Sequence, residues 1–267
     1  MFLPPRMTQL GFKAFSTNGV EYVIPPTCHI PGGKFVMGNR IEIDPQMMDD
    51  EHPRHPLLLP DYYIAAYPVT VVEYELFVHN GGKAPETRGL VSWAQQIRNP
   101  EHPVVCVQWV DAVAYTKWLS ALSGRKWRLP TEPEWEKAAR WDVKNARSLI
   151  YPWGNQFDKN RCNTRESQIG TTIPIGYYGA KNKSPYNVFD MAGNIWEWTS
   201  SIYKPYPYVA TDGREDPTPQ EHSHRVSRGG AWRLPLEVSR SACRNFESPT
   251  NFAGYFDDEG FRLALDL

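Results

Sequence analysis

The sequence predicts an α+β fold on three observations. Windows of helical periodicity end near residue 140. Short strand-like runs separated by turn residues fill the rest. The chain also carries 10 Trp, 14 Tyr, 24 Pro and 19 Gly, which suits a loop-rich domain held by aromatic anchors. At 267 residues one large domain, 1–267, can bury a substantial core. Residues 1–20 are expected to form a peripheral N-terminal extension.

The elements follow in order. Residues 19–38 alternate apolar pairs with Pro and Gly turns, the pattern of short strands. Thr70 and Glu73 form a capping box, and Val71, Tyr74, Phe77 and Val78 keep helical spacing until Gly81-Gly82 stops the helix. Residues 83–103 read as a polar loop. Residues 109–124 are the strongest helix, with Val110, Val113, Ala114, Trp118, Leu119 and Leu122 on one face and Gly124 at the end. Thr131 and Glu134 make a second capping box, opening a short helix within 128–140. Beyond 141 the runs YPWGN, IPIGYYG, SPYNVFDMAGNIWEW, HRVSRGGAW and GFRLAL read as strands and turns.

Charge narrows the function classes. A net charge of −1 supplies no basic field for nucleic acid or an anionic membrane, so neither is expected as a partner. No apolar run reaches the ~20 residues a membrane span needs. The start, MFLPPRMTQLGFKAF, is broken by Pro4, Pro5 and Arg6 and has no signal-peptide core, so a cytoplasmic location is expected. Cys28, Cys106, Cys162 and Cys243 lack any Cys-x-x-Cys spacing and read as reduced, buried thiols.

Taken in order, IPGGKFVMG (30–38), YYIAAYPVTVVEYELFV (62–78), RLPTEPEWEKAARW (128–141), YPWGN (151–155), SPYNVFDMAGNIWEWTSS (184–201), RVSRGGAW (225–232) and GFRLAL (260–265) resemble the formylglycine-generating-enzyme, or sulfatase-modifying-factor, domain family. The resemblance covers about residues 20–267. It implies a C-type-lectin-like fold of the elaborated, loop-rich kind. That fold serves oxidases, sulfoxide synthases and binding proteins alike, including the variable proteins of diversity-generating retroelements.

The resemblance also implies where chemistry would lie. The family's oxidases carry two cysteines, five residues apart, after the double glycine, and soft thiolates are what Cu(I) selects. Here Gly229-Gly230 is followed by Ala231 through Ser239 without a cysteine, and Cys243 falls at a packing position. No copper is therefore expected. The sulfoxide synthases need a His-x3-His-x-Glu iron motif on an added helical domain. His52-Pro-Arg-His55 lies in a proline-broken loop and reads as a solvated segment.

Asp190 and Glu197 flank a Gly-Asn turn, so both carboxylates can reach one hard cation. The family's matching segment implies structural calcium through Asp190, Glu197 and the carbonyls of Gly193 and Ile195. The same carboxylates equally suit turn amides and arginine side chains. Trp196 and Trp198 read as core aromatics, Gly229-Gly230 as a close backbone approach, and Arg262 as a buried partner of a carboxylate. Between 233 and 258, Arg233, Leu234, Leu236, Glu237, Arg244, Phe246, Asn251, Phe252, Tyr255, Phe256 and Asp257 mix aromatic anchors with charge, as binding surfaces do. Their placement resembles the display region of the variable proteins. The expected function is non-catalytic binding of a protein or small-molecule ligand on this surface. A metal-dependent oxidoreductase of the same superfamily is the alternative.

Overall fold

The computed structural model describes residues 3–87, 89, 91–219, 223–250 and 257–267. The first half begins with α1 (Pro5–Gln9), β1 (Lys13–Thr17), β2 (Val20–Ile24), β3 (Thr27–Ile30), β4 (Gly33–Met37), β5 (His55–Leu59) and β6 (Tyr62–Ala65). Helices α2 (Val71–His79), α3 (Trp93–Gln96) and α4 (Trp109–Ser123) follow, then β7 (Trp127–Arg128) and α5 (Glu132–Arg140). The second half has β8 (Trp141–Asp142), β9 (Arg147–Ser148), β10 (Trp196–Ile202), β11 (Arg225–Arg228), β12 (Arg244–Glu247), β13 (Glu259–Phe261) and β14 (Ala264–Asp266), joined by long loops and single 3-10 turns. This is the expected α+β fold, with few helices and short, mostly antiparallel strands.

Two four-stranded sheets organise the molecule, in the orders β12-β11-β10-β13 and β3-β6-β14-β7. The last strand, β14, sits inside the second sheet between β6 and β7. Both ends of the sequence are thereby joined in one hydrogen-bonded layer. The approach to β14 is stitched as well: Ala65 N–H donates to Leu263 O at 2.8 Å and Val69 N–H to Phe261 O at 2.9 Å.

The largest core cluster lies between α2, α4 and the β13–β14 segment. Tyr74 stacks on Tyr115 with centroids 5.7 Å apart, and Phe261 meets Tyr115 edge-on at 5.4 Å. Two tryptophans pin α4 to β10: Trp109 Nε1 donates to Thr199 O and Trp198 Nε1 to Val107 O, each at 2.8 Å. Trp196 and Trp198 are core aromatics, as their sequence context indicates. Of the expected α4 face, Leu119 is fully buried and Val110, Val113, Trp118 and Leu122 are partly so, whereas Ala114 is exposed. The deepest stripe is Trp109, Ala112, Tyr115, Thr116 and Leu119, because the aromatic stack draws Tyr115 inward.

Both capping boxes form. Glu73 accepts from Thr70 N–H at 2.8 Å, and Glu134 accepts from Thr131 N–H at 2.8 Å. Residues 1–20 include more than a peripheral segment. Leu3, Met7 and Phe12 are buried against Tyr67, Val72, Leu76 and Ile175, and β1 pairs with β2 over five residues. All four cysteines are free thiols. Among the described residues, no helix is long and apolar enough to cross a membrane.

Candidate functional site

The double glycine ends β11 and turns the chain back on itself. Gly229 and Gly230 have φ of 108° and 76°, a region that favours glycine. A Cβ on Gly230 would lie 2.8 Å from Ser239 Cα and from Val238 O. Close approach of the two backbones therefore requires this glycine. The loop it closes is pinned by Arg228, fully buried, which donates to Ala242 O at 2.7 Å and to Cys243 O at 2.9 Å and pairs with Glu136. Cys243 packs with Trp196 and Ala231. Burial pushes its thiol up to about 12, the opposite of a reactive cysteine.

Much of the segment expected as a binding surface is structural. Arg244, expected at the surface, is buried: it pairs with Glu132 at 2.7 Å and lies over the Tyr206 ring at 4.1 Å. A carboxylate at the start of α5 and an aromatic face give a guanidinium the neutralisation that burial demands. Asp257 is likewise buried, at 9% exposure, and sits 3.3 Å from Arg233. Arg233 itself is half-buried and pairs with Asp258 at 2.7 Å. Leu234 packs against the Trp196–Cys243 cluster, and Leu236 and Glu237 open a half-buried 3-10 turn. Phe246 is exposed and stacks on Tyr203 at 4.0 Å. Asn251, Phe252, Tyr255 and Phe256 lie outside the described residues.

The expected calcium ligands also have protein partners. Asp190, at φ 58°, accepts from Gly176 N–H and from Asn182 Nδ2, each at 2.6 Å. Glu197 accepts from Trp135 Nε1 at 2.7 Å and from two nitrogens of buried Arg262. The Gly193 carbonyl accepts from Ile195 N–H at 3.0 Å, and the Ile195 side chain packs with Val105 and Cys106. Arg262 also donates to Phe189 O at 3.0 Å. In this arrangement each of the two carboxylates already has protein hydrogen-bond donors. Among the described residues, no group of three or more His, Cys, Asp or Glu is placed to hold a metal ion.

A cleft of about 250 Å³ opens where the double-glycine loop meets Asp257. Trp232 and Asp257 form one side, Gln95, Gln96 and His102 another, and Thr171 and Thr172 a third. Each wall is held in place. Gln96 donates to Val105 O at 3.1 Å and accepts from Val105 N–H at 2.9 Å. His102 Nδ1 is 2.9 Å from Thr172 Oγ1, and burial lowers its pKa, so the imidazole is neutral at pH 7. Asn194 accepts from Ile173 N–H at 2.9 Å and donates to Ile173 O at 3.1 Å, and its carbonyl accepts from Trp232 N–H at 3.1 Å. Among the described residues, the cleft therefore combines fixed polar groups with one indole and the apolar side chains of Val71, Val91, Pro103 and Val105. Of the expected contact residues among the described ones, only Asp257 lines it. The other two walls come from the end of the short helix α3 and from the loops at 99–103 and 170–172, and nothing local in them signals that they converge.

Comparison with known proteins gives a family, a curated relative and two solved structures. A family model, the sulfatase-modifying factor enzyme 1-like domain, matches residues 11–267. The chain is 30% identical over 269 residues to the hercynine oxygenase of Mycolicibacterium smegmatis, covering 89% of this chain and 60% of that protein. The chain spans about three-fifths of the length of the hercynine oxygenases it matches. Among solved structures it is similar to PvdO from Pseudomonas aeruginosa, with a TM-score of 0.73 and 26% identity over 91% of this chain and 95% of that one. The Treponema denticola variable protein 1 shares the fold, with a TM-score of 0.69 and 21% identity over 96% and 99%.

Proposed function

Because the chain belongs to the sulfatase-modifying factor enzyme 1-like domain family, we propose that it uses this scaffold to bind a small polar ligand without cysteine chemistry. The observation that carries this reading is the Trp232–Asp257 cleft. Trp232 offers a flat apolar face, and Asp257, Gln95 and Thr171 offer hydrogen-bonding groups. Among the described residues, no thiol lines the cleft. Cys106, next in sequence to a lining residue, packs instead against Ile195, and Cys243 is buried with a raised pKa.

A polar-metabolite library screened by thermal shift and then by calorimetry tests the reading. Trp232→Ala and Asp257→Asn are each expected to weaken a hit at least tenfold, while Phe246→Ala leaves it unchanged. The oxidoreductase alternative is favoured by the kinship to proteins named hercynine oxygenase. Oxygen consumption with thiol substrates in the presence of iron or copper would establish it and overturn the non-catalytic reading. A reverse-transcriptase gene beside an imperfect copy of this gene's 3′ end would mark a variable protein.

A further inference from the structure

The second cleft lies on the His52-Pro-Arg-His55 loop, a motif the ligand-binding reading leaves unused. It measures about 590 Å³ and is lined by Arg40, Glu42, His52, Arg54 and His55 among others. It shares no lining residue with the Trp232 cleft.

Behind this loop the protein balances its buried charge with care. Arg140 and Arg228 both contact Glu136, Arg244 pairs with Glu132, and Arg240 pairs with Asp44 at 2.7 Å and with Glu51 at 2.6 Å. These four guanidiniums face four carboxylates. Arg54 stands at the edge of this set with none left to it. It is half-buried, and its Nε is enclosed yet meets no acceptor among the described residues. Burial lowers its pKa, the like charge of Arg40 lowers it further, and only Glu136, already shared by two other arginines, opposes them. Arg40 has one carboxylate nearby, Glu42 at 3.9 Å, and both are mostly exposed, so that pair contributes little. His55 is engaged elsewhere: its Nδ1 is 2.7 Å from Pro53 O, and its Nε2 accepts from Tyr208 N–H at 2.9 Å. That leaves two guanidiniums, with exposed His52 beside them, lining one open cleft.

Two like charges lining one cavity repel, and an anionic guest relieves that repulsion. A carboxylate brings a single charge. A phosphate brings up to two charges and several acceptor oxygens, and guanidinium forks bind it in the bidentate manner. We propose that the cleft lined by Arg40, His52 and Arg54 binds a phosphate group, either free or carried by a small molecule. This inference does not depend on what occupies the Trp232 cleft.

Calorimetry at constant ionic strength, with inorganic phosphate, phenyl phosphate, acetate and chloride as probes, tests it. Phosphate is expected to bind at least tenfold more tightly than acetate or chloride. A preference for phenyl phosphate over inorganic phosphate identifies a carried phosphoryl group, and the reverse identifies the free ion. Arg54→Gln is expected to weaken phosphate at least tenfold, yet to melt no lower than the parent without phosphate, because it removes an unneutralised charge. Arg40→Gln, at a mostly exposed side chain, keeps the test valid if Arg54→Gln does not fold, and should weaken phosphate severalfold. Phosphate binding no better than chloride, or undiminished in both variants, overturns the proposal. So does loss of phosphate binding in Trp232→Ala.

Discussion

Arg244 and Glu132 illustrate how much a single pair carries. Both side chains are fully buried and lie 2.7 Å apart. Arg244→Ala strands the Glu132 carboxylate in the interior. We expect a loss of about 3–5 kcal/mol, measured by urea denaturation. The same truncation at Arg233, whose side chain is one-third exposed, should cost less, about 1–3 kcal/mol, because buried Asp258 then loses its partner. If the 233–258 segment were a freely variable display surface, the two substitutions would be equally tolerated. The packing instead confines tolerance to half-buried or exposed positions such as Glu237 and Phe246.

At the scale of elements, the α2 cap carries a pH signature. Glu73 accepts from Thr70 N–H and Thr70 Oγ, yet burial pushes its carboxyl up to about 7, against those two hydrogen bonds. Between its unfolded value of 4.5 and about 7 the folded state holds a proton that the unfolded state has lost. Stability therefore falls as pH rises through this window, by about 3 kcal/mol, and is flat above it. Glu73→Gln removes the titration. It should be more stable than the parent at pH 8 and equal to it near pH 4.5, as read by chemical denaturation at each pH. The β10 segment supports a second expectation. Arg262 holds Glu197, while Asn182 and Gly176 hold Asp190. EDTA or added calcium should accordingly leave Tm unchanged, and a rise in Tm of several degrees with millimolar calcium would support structural calcium at Asp190 and Glu197.

For the whole molecule, the closing strand decides cooperativity. β14 pairs with β6 and β7, and buried Leu263 leads into it. A chain ending at Phe261 loses the strand that unites its two ends in one sheet. It should lack near-ultraviolet circular dichroism and expose hydrophobic surface to dye, whereas removal of Leu267 alone, 75% exposed, should change neither.

Much of this was legible in the linear chain because the signals are local. A Thr three residues before a Glu marks a helix start, a helical period marks the helix, and two glycines mark a close approach. Each depends on a few neighbouring residues, and Thr70, Thr131 and Gly229-Gly230 act as those rules require. The ordered motifs likewise identified the family. What folding added is non-local. Asp44, Glu51, Glu132, Glu136, Arg228, Arg240 and Arg244 come from three distant stretches and meet in the interior. That meeting turns Arg244, expected at the surface, into a structural residue and leaves Arg54 without a counter-ion among the described residues. The Trp232 cleft arises in the same way, from the end of α3 and loops near 102, 171 and 257. Local chemistry chooses the elements. Which charge finds a partner, and where a cleft remains, depends on residues that only long-range packing brings within a few ångströms.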